Sequence, residues 1–372
     1  MVNKGEMSEL YAIFRLATER SLQLADSNFD AIPDAFIEIK SVIRENKEGI
    51  LEVRSLDENS LEVLLNGEKK FEISCNRMKE LADTTYKDMV SGLTYEEAEL
   101  FLDEVGINRV ASRSDTKTDL SLRIHDPRSG LDPLMRYSVK SDVGSRSTLF
   151  NATTNASIVY EIDGPMTDSL MAKINSFENN SVVEDSDRTT KTKGKVKKKF
   201  AYLDDKGFSL RFVPDDSPFI NNLRFVDTSF PEVFAEMVRI YYAGSRLNKL
   251  SEITRIVTES NPLNLPTQVA SSFYEFKTKQ FLEMAALGMT QGTLWDVRES
   301  VTGGIILVKE DGGIVCYHLF DKDDFQNHLF RQSLFDTPST SRHSRSEIVK
   351  TIDGKYRISV AIQIRLEKAA ST

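Results

Sequence analysis

The chain has 372 residues, 40% of them apolar, and a formal net charge of −9. That length can bury one large core or two modest ones. No apolar run approaches the roughly 20 residues of a membrane span, and the opening Met-Val-Asn-Lys-Gly-Glu lacks the apolar stretch of an export signal. Two cysteines, Cys75 and Cys316, exclude a disulfide framework and a CxxC metal site. The expectation is reduced thiols in a cytoplasmic protein. The acidic balance argues mildly against a polyanionic partner, although overall charge does not reveal a local basic groove.

In chain order, Met7, Leu10, Tyr11, Phe14 and Ala17 recur at helical spacing and predict an amphipathic helix over 6–20. Glu6 falls on its apolar arc and Glu9 on the edge of that arc. Carboxylates facing a core are costly unless they are paired or bind a cation; the structural alternative is a solvated first turn. A helix is expected around Phe36–Glu45, with short strands at Ile50–Val53 and Leu61–Leu64 and an acidic helix at Thr94–Val105. Thr118–Ile124 alternates with period two, Asp126-Pro127-Arg128-Ser129-Gly130 is turn chemistry, and Arg136–Lys140 is the returning strand. Residues 176–199 read as an exposed excursion in which acids give way to the basic run Arg188, Lys191, Lys193, Lys195, Lys197, Lys198 and Lys199. That run is either a solvated loop or a phosphate-contacting arm. Residues 230–300 are mostly helical by pattern. A second hairpin follows, Gly303–Val308 and Ile314–Tyr317 around Asp311-Gly312-Gly313. A short helix at 323–330, a polar loop at 336–346 and a final strand Arg357–Leu366 complete the chain. The mixture predicts an α+β (mixed α/β) fold without internal repeats.

The first hairpin gathers the chemistry. With its turn centred on Ser129–Gly130, Asp119 lies opposite Lys140 and Ser121 opposite Ser138. Alternation then puts these four side chains on one face, while Leu120, Leu122, Ile124, Tyr137 and Val139 take the other, apolar face. A carboxylate that holds a divalent cation beside a lysine suits phosphodiester hydrolysis. The structural alternative is a cross-strand salt bridge worth about 0.2–1 kcal/mol. Competing chemistries lack their motifs: no phosphate loop ending in Lys-Ser/Thr, no GxSxG elbow, and four histidines (His125, His318, His328, His343) without zinc spacing.

Three segments resemble one known family. Lys4-Gly5-Glu6-Met7-Ser8-Glu9-Leu10-Tyr11 is close to a KGEWSELY opening, with Met7 in place of Trp. Tyr137-Ser138-Val139-Lys140-Ser141 is followed by Gly144-Ser145, Thr148-Leu149, Asn151-Ala152 and Thr154-Asn155. Gly303-Gly304, Cys316-Tyr317-His318, the string Phe335-Asp336-Thr337-Pro338-Ser339-Thr340-Ser341-Arg342-His343, and Gln363-Ile364-Arg365-Leu366 form the third. Together they resemble the HpaII family of type II restriction endonucleases over nearly the whole chain.

The resemblance implies a PD-(D/E)xK nuclease core: a central mixed sheet flanked by helices, with added DNA-recognition elements. It implies a nuclease part over 1–165 and a DNA-recognition and sheet-completing part over 166–372, or one continuous domain. Asp119 and Lys140 match the catalytic pattern. Ser138 departs from it, standing where a second acid belongs, and Glu9 (or Glu6) on the first helix would supply that acid, so that Asp119 and Glu9 hold Mg²⁺. The substrate implied is double-stranded DNA at CCGG. Arg342 would read bases, supported by Ser339, Thr340, Ser341 and His343, with Gln363 and Arg365 as further readers; Ser145 and Asn151 would contact the backbone. A homodimer and a companion DNA methyltransferase are the implied partners. A DNA-binding relative that no longer cuts, and an acidic protein-interaction module docking through 188–199, are the alternatives.

Overall fold

The structure is a computed structural model that describes residues 4–26, 28–108, 117–127, 129–144, 146–153, 156–178, 194–244, 247–319, 322–338 and 346–368. The first helix, α1 (Lys4–Glu19), lies where apolar periodicity places it, and its Met7, Leu10, Phe14 and Ala17 are buried. Four antiparallel strands follow β1 (Ser21–Ala25): β2 (Ala31–Glu45), β3 (Ile50–Ser55), β4 (Ser60–Leu65) and β5 (Glu68–Ser74). The helix expected around Phe36–Glu45 is instead the second half of β2. A register irregularity between Ile39 and Ser41 inserts a residue, so the buried positions run Ile37, Ile39, Ser41, Val42, Arg44. That broken alternation mimics helical spacing in the sequence.

Helices α2 (Cys75–Ser91) and α3 (Glu96–Val105) complete the N-terminal layer. The first hairpin is β6 (Leu120–His125) and β7 (Leu134–Ser141); the second hairpin is β11 (Gly304–Val308) and β12 (Ile314–His318). β11 lies parallel to β7, so the late hairpin joins the early sheet. The resulting nine-stranded sheet has the order β1-β12-β11-β7-β6-β2-β3-β4-β5, and β1 also pairs with β2. One core lies between α1–α3 and the sheet face carrying Leu120, Leu122, Tyr137, Val139, Ile306 and Val308.

The rest of the chain builds a second core: β8 (Thr148–Phe150), β9 (Ile158–Asp163), α4 (Asp168–Asn175), α5 (Lys195–Asp205), β10 (Ser209–Phe212), α6 (Pro218–Val226), α7 (Phe230–Ala243), α8 (Leu250–Ser260), α9 (Thr267–Leu287), α10 (Lys322–Gln332), β13 (Ser333–Asp336), β14 (Ile348–Lys350), β15 (Tyr356–Val360) and β16 (Gln363–Leu366). Its aromatic side chains pack against Ile305, Leu307, Val315 and Tyr317, the opposite face of the late hairpin. The stretch expected as one final strand is two, β15 and β16, paired in different sheets, because the chain changes sheet at Ala361–Ile362.

Two tyrosines lock the late hairpin to the first core. Tyr11 on α1 and Tyr86 on α2 donate to the carbonyls of Gly312 and Glu310 at its turn. Gly312 has φ +84°, and a Cβ there would lie 3.2 Å from both tyrosine side chains, so both backbone conformation and space require glycine.

The basic run is not an exposed arm where it is described. Lys195–Lys199 form the first turn of α5. Lys198 and Lys199 are buried, donating to the carbonyls of Glu178 (2.9 Å) and Ser346 (2.6 Å), and Lys197 lies 3.9 Å over the ring of Tyr241. Residues 188, 191 and 193 lie outside the described residues. No helix among the described residues is long and apolar enough to cross a membrane.

Candidate active site

The observed β6–β7 register pairs Leu120 with Tyr137 and Ser121 with Arg136. The expected pairing of Asp119 with Lys140, and of Ser121 with Ser138, is therefore shifted by two residues. The isolated bridge Asp126↔Leu131 closes the turn one residue earlier than a Ser129–Gly130 centre would. A shift of two preserves side-chain parity, so Asp119, Ser138 and Lys140 still meet.

Asp119 stands one residue before β6, where its carboxylate caps the neighbouring strand. Oδ2 accepts from the backbone N–H of Val139 (2.7 Å) and from Ser138 Oγ (3.0 Å). Lys140 Nζ donates to Ser138 Oγ (2.7 Å) and lies 3.9 Å from Asp119 Oδ2. Ser138 therefore relays between acid and ammonium. Ser138 is 2% exposed, and its hydroxyl brings no charge to the group. The Asp119 and Lys140 side chains keep 23% and 17% of their surface open, enough to reach a ligand while partly dehydrated.

The approach to Asp119 is fixed by the second core. Thr118 Oγ1 donates to the Ser300 carbonyl (2.5 Å), and Ser300 Oγ accepts from the Lys117 N–H. The amine of Lys117 donates to the Leu149 carbonyl at 3.0 Å. Burial, with the Lys140 charge adding to it, lowers that amine to about 8, and Asp119 opposes the shift. Lys117 was missed in sequence reading, although the period-two count that selects Asp119 also selects the residue two before it.

Glu9 on α1 lies within electrostatic reach of this group. Burial raises its carboxyl to about 7; the Arg44 guanidinium opposes the rise, and the Asp119 charge adds to it. Arg44, its side chain wholly buried on β2, donates to Glu9 Oε2 through Nε (3.2 Å) and Nη2 (2.9 Å), and through Nη1 to Asn46 Oδ1 (2.9 Å). Glu6 is the more remote acid and acts on Glu9 only as a further like charge. Among the described residues, Asp119 Oδ1 and Glu9 Oε1 accept no hydrogen bond. Both are hard carboxylate oxygens of the kind that a Mg²⁺-type cation takes as ligands. No group of three His, Cys, Asp or Glu side chains converges among the described residues.

The expected recognition residues divide. Ser145, Ser339, Thr340, Ser341, Arg342 and His343 lie outside the described residues. Gln363 and Arg365 on β16 are both engaged by Asp336, at 2.8 and 2.7 Å, which fixes them at the β13–β16 edge. Asn151 is exposed just after β8. Two segments that carry the family resemblance meet in space: a Cβ at Gly144 would lie 3.5 Å from Lys4 Cδ, so the loop after Lys140 packs on the first turn of α1.

The model of the HpaII restriction endonuclease family matches residues 3–366. The Type II restriction enzyme HpaII of Haemophilus parainfluenzae is 33% identical over 370 residues, covering 98% of each chain. No solved structure matches the chain. A match that runs from the turn holding Lys4 to the end of β16 takes in α1, both hairpins and β16, and the chain belongs to the HpaII restriction endonuclease family.

Proposed function

We propose that this protein is a Mg²⁺-dependent type II endonuclease that cuts both strands of DNA at CCGG, through a PD-(D/E)xK-type centre made of Asp119, Lys140, Ser138 and Glu9. The observation that carries the reading is the convergence of Asp119 and Lys140 on one face, 3.9 Å apart and partly open to solvent. Bound Mg²⁺ would supply a Lewis acid that offsets phosphate charge and lowers the pKa of water. Asp119 and Glu9 would hold it through their free oxygens. Lys140 would place a positive charge against the phosphate oxygens as negative charge builds in the transition state, and Ser138 Oγ would fix that ammonium.

Recognition is assigned to Arg342 with Ser339, Thr340, Ser341 and His343, and less to Gln363 and Arg365; Ser145 and Asn151 take backbone contacts. Residues 1–165 carry the reaction centre, and residues 166–372 carry recognition and complete the sheet. A palindrome presents two scissile phosphates, which favours a homodimer. Safe residence in a cytoplasm that holds the host chromosome requires a companion methyltransferase.

The test is fragment-end sequencing after incubation of unmethylated plasmid and its CCGG-methylated counterpart with Mg²⁺. The expected result is ends at CCGG in the first and intact circles in the second. Ends at unrelated sequences would remove the CCGG assignment. A second reading, a DNA binder that no longer cuts, is favoured by Ser138, whose hydroxyl contributes no charge to a metal site. It is the one left standing if site-selective gel shifts appear without cleavage.

A further inference from the structure

Beyond the reaction centre, the same face of the first hairpin continues toward its turn with two arginines. β6 places Arg123 two residues past Ser121, and β7 places Arg136 two residues before Ser138. The register sets Arg136 opposite Ser121 and Arg123 opposite Leu134. The two arginines are therefore diagonal neighbours, roughly 7–8 Å apart, and both are exposed. Among the described residues their guanidinium groups make only long hydrogen bonds to carbonyls: Arg123 Nη1 to Asp132 at 3.3 Å and Arg136 Nη2 to Glu299 at 3.4 Å.

Neither makes an ion pair among the described residues. That is unusual in a chain with 57 acidic and 48 basic side chains, where other arginines of the sheets, such as Arg54, Arg211, Arg357 and Arg365, pair with a carboxylate. The nearby acids are otherwise placed. Asp132 is hydrogen-bonded to His125 Nδ1 at 2.8 Å. Glu45 lines, with Arg136, Asp119, Thr118, Ser121 and Ser300, a cavity of about 80 Å³ without pairing to the guanidinium.

We propose that Arg123 and Arg136 form a phosphate-contacting track that leads from the Asp119–Lys140 centre along the hairpin and holds duplex DNA by its backbone. The proposal rests on the endonuclease reading. Four strand residues separate Arg136 from Lys140, about 13 Å. With a phosphate at the reaction centre, Arg136 reaches a different phosphate of the same duplex. Contacts to backbone phosphates position the duplex and carry no direct sequence information. The track also answers the objection from net charge, because two unpaired guanidinia on one face make a local basic strip that a total of −9 does not disclose.

The test measures duplex binding by fluorescence anisotropy without divalent cation, on DNA with and without CCGG, over a range of salt. It compares wild type, the double variant Arg123→Gln/Arg136→Gln, and Arg123→Lys/Arg136→Lys. Each lost phosphate contact reduces the slope of log affinity against log salt by about 0.9. The double Gln variant is expected to lose about 1.8 of slope and roughly tenfold to a hundredfold in affinity near 0.1 M salt, equally on both duplexes. The Lys variant is expected to regain the slope. An unchanged slope, or a loss confined to CCGG duplex, overturns the track. Thermal melting of each variant identifies misfolding, and the Lys variant decides the matter if the Gln variant is unfolded. Lys140→Ala, run in parallel and then supplied with Mg²⁺, separates the two readings: a variant that binds as wild type does but fails to cut where wild type cuts supports the endonuclease, whereas a wild type that neither binds nor cuts removes both.

Discussion

Lys140→Ala is expected to bind duplex DNA as wild type does and to cut it at least a hundredfold to a thousandfold more slowly. Removing one preorganised donor aimed at developing charge typically costs that much in turnover. Here the ammonium also holds Ser138 Oγ at 2.7 Å, which in turn donates to Asp119. The variant therefore removes both the charge and one restraint on the acid. Single-turnover cleavage of a CCGG oligonucleotide at saturating enzyme isolates turnover from binding. Thermal melting of the variant separates a loss of fold from a loss of turnover. Cleavage at the wild-type rate would return the Asp119–Lys140 contact to the status of a strand-pairing salt bridge.

The second large effect concerns stability. Arg44→Met is expected to destabilise the protein by about 3–5 kcal/mol near pH 8, because it leaves a buried carboxylate without its counter-charge. The cost should shrink on acidification. Burial already raises Glu9 to about 7 against the opposition of Arg44, and without that guanidinium it rises further. A carboxyl whose folded pKa exceeds its unfolded value stabilises the fold when protonated. That contribution is complete below the unfolded value and disappears as pH rises through the folded one. At pH 5 Glu9 of the variant is neutral and no uncompensated charge is buried, so the gap between variant and wild type should narrow between pH 8 and pH 5. Urea unfolding at the two pH values measures it. A gap independent of pH would mean that Arg44 acts through packing alone.

Much of the site was legible because alternation along a strand is robust to small errors in the turn. Placing the turn centre one residue late moved the β6–β7 register by two, an even shift that kept Asp119, Ser138 and Lys140 on a common face. The same count, carried outward, would have named Lys117, Arg123 and Arg136 as well. What the sequence concealed were interactions set by distant segments. The bulge in β2 turned Ile37, Ile39 and Val42 into a helix-like pattern. Only the folded chain shows that Arg44 supplies the partner of Glu9. The lysines of α5 looked like a polyanion-binding run because their partners, the backbone carbonyls of Glu178 and Ser346, carry no signature in side-chain sequence. The parallel entry of β11 beside β7 joins residues more than 160 positions apart, a pairing that local patterns cannot disclose.

The central claim, that Asp119 anchors a metal-assisted phosphodiesterase centre, is tested most directly by comparing wild type with Asp119→Asn on a CCGG-containing duplex, in Mg²⁺ and in EDTA. The expected result is discrete fragments from wild type in Mg²⁺ alone, and none from the variant although it still shifts the duplex on a gel. Cutting by Asp119→Asn at the wild-type rate, or by wild type in EDTA, would contradict it.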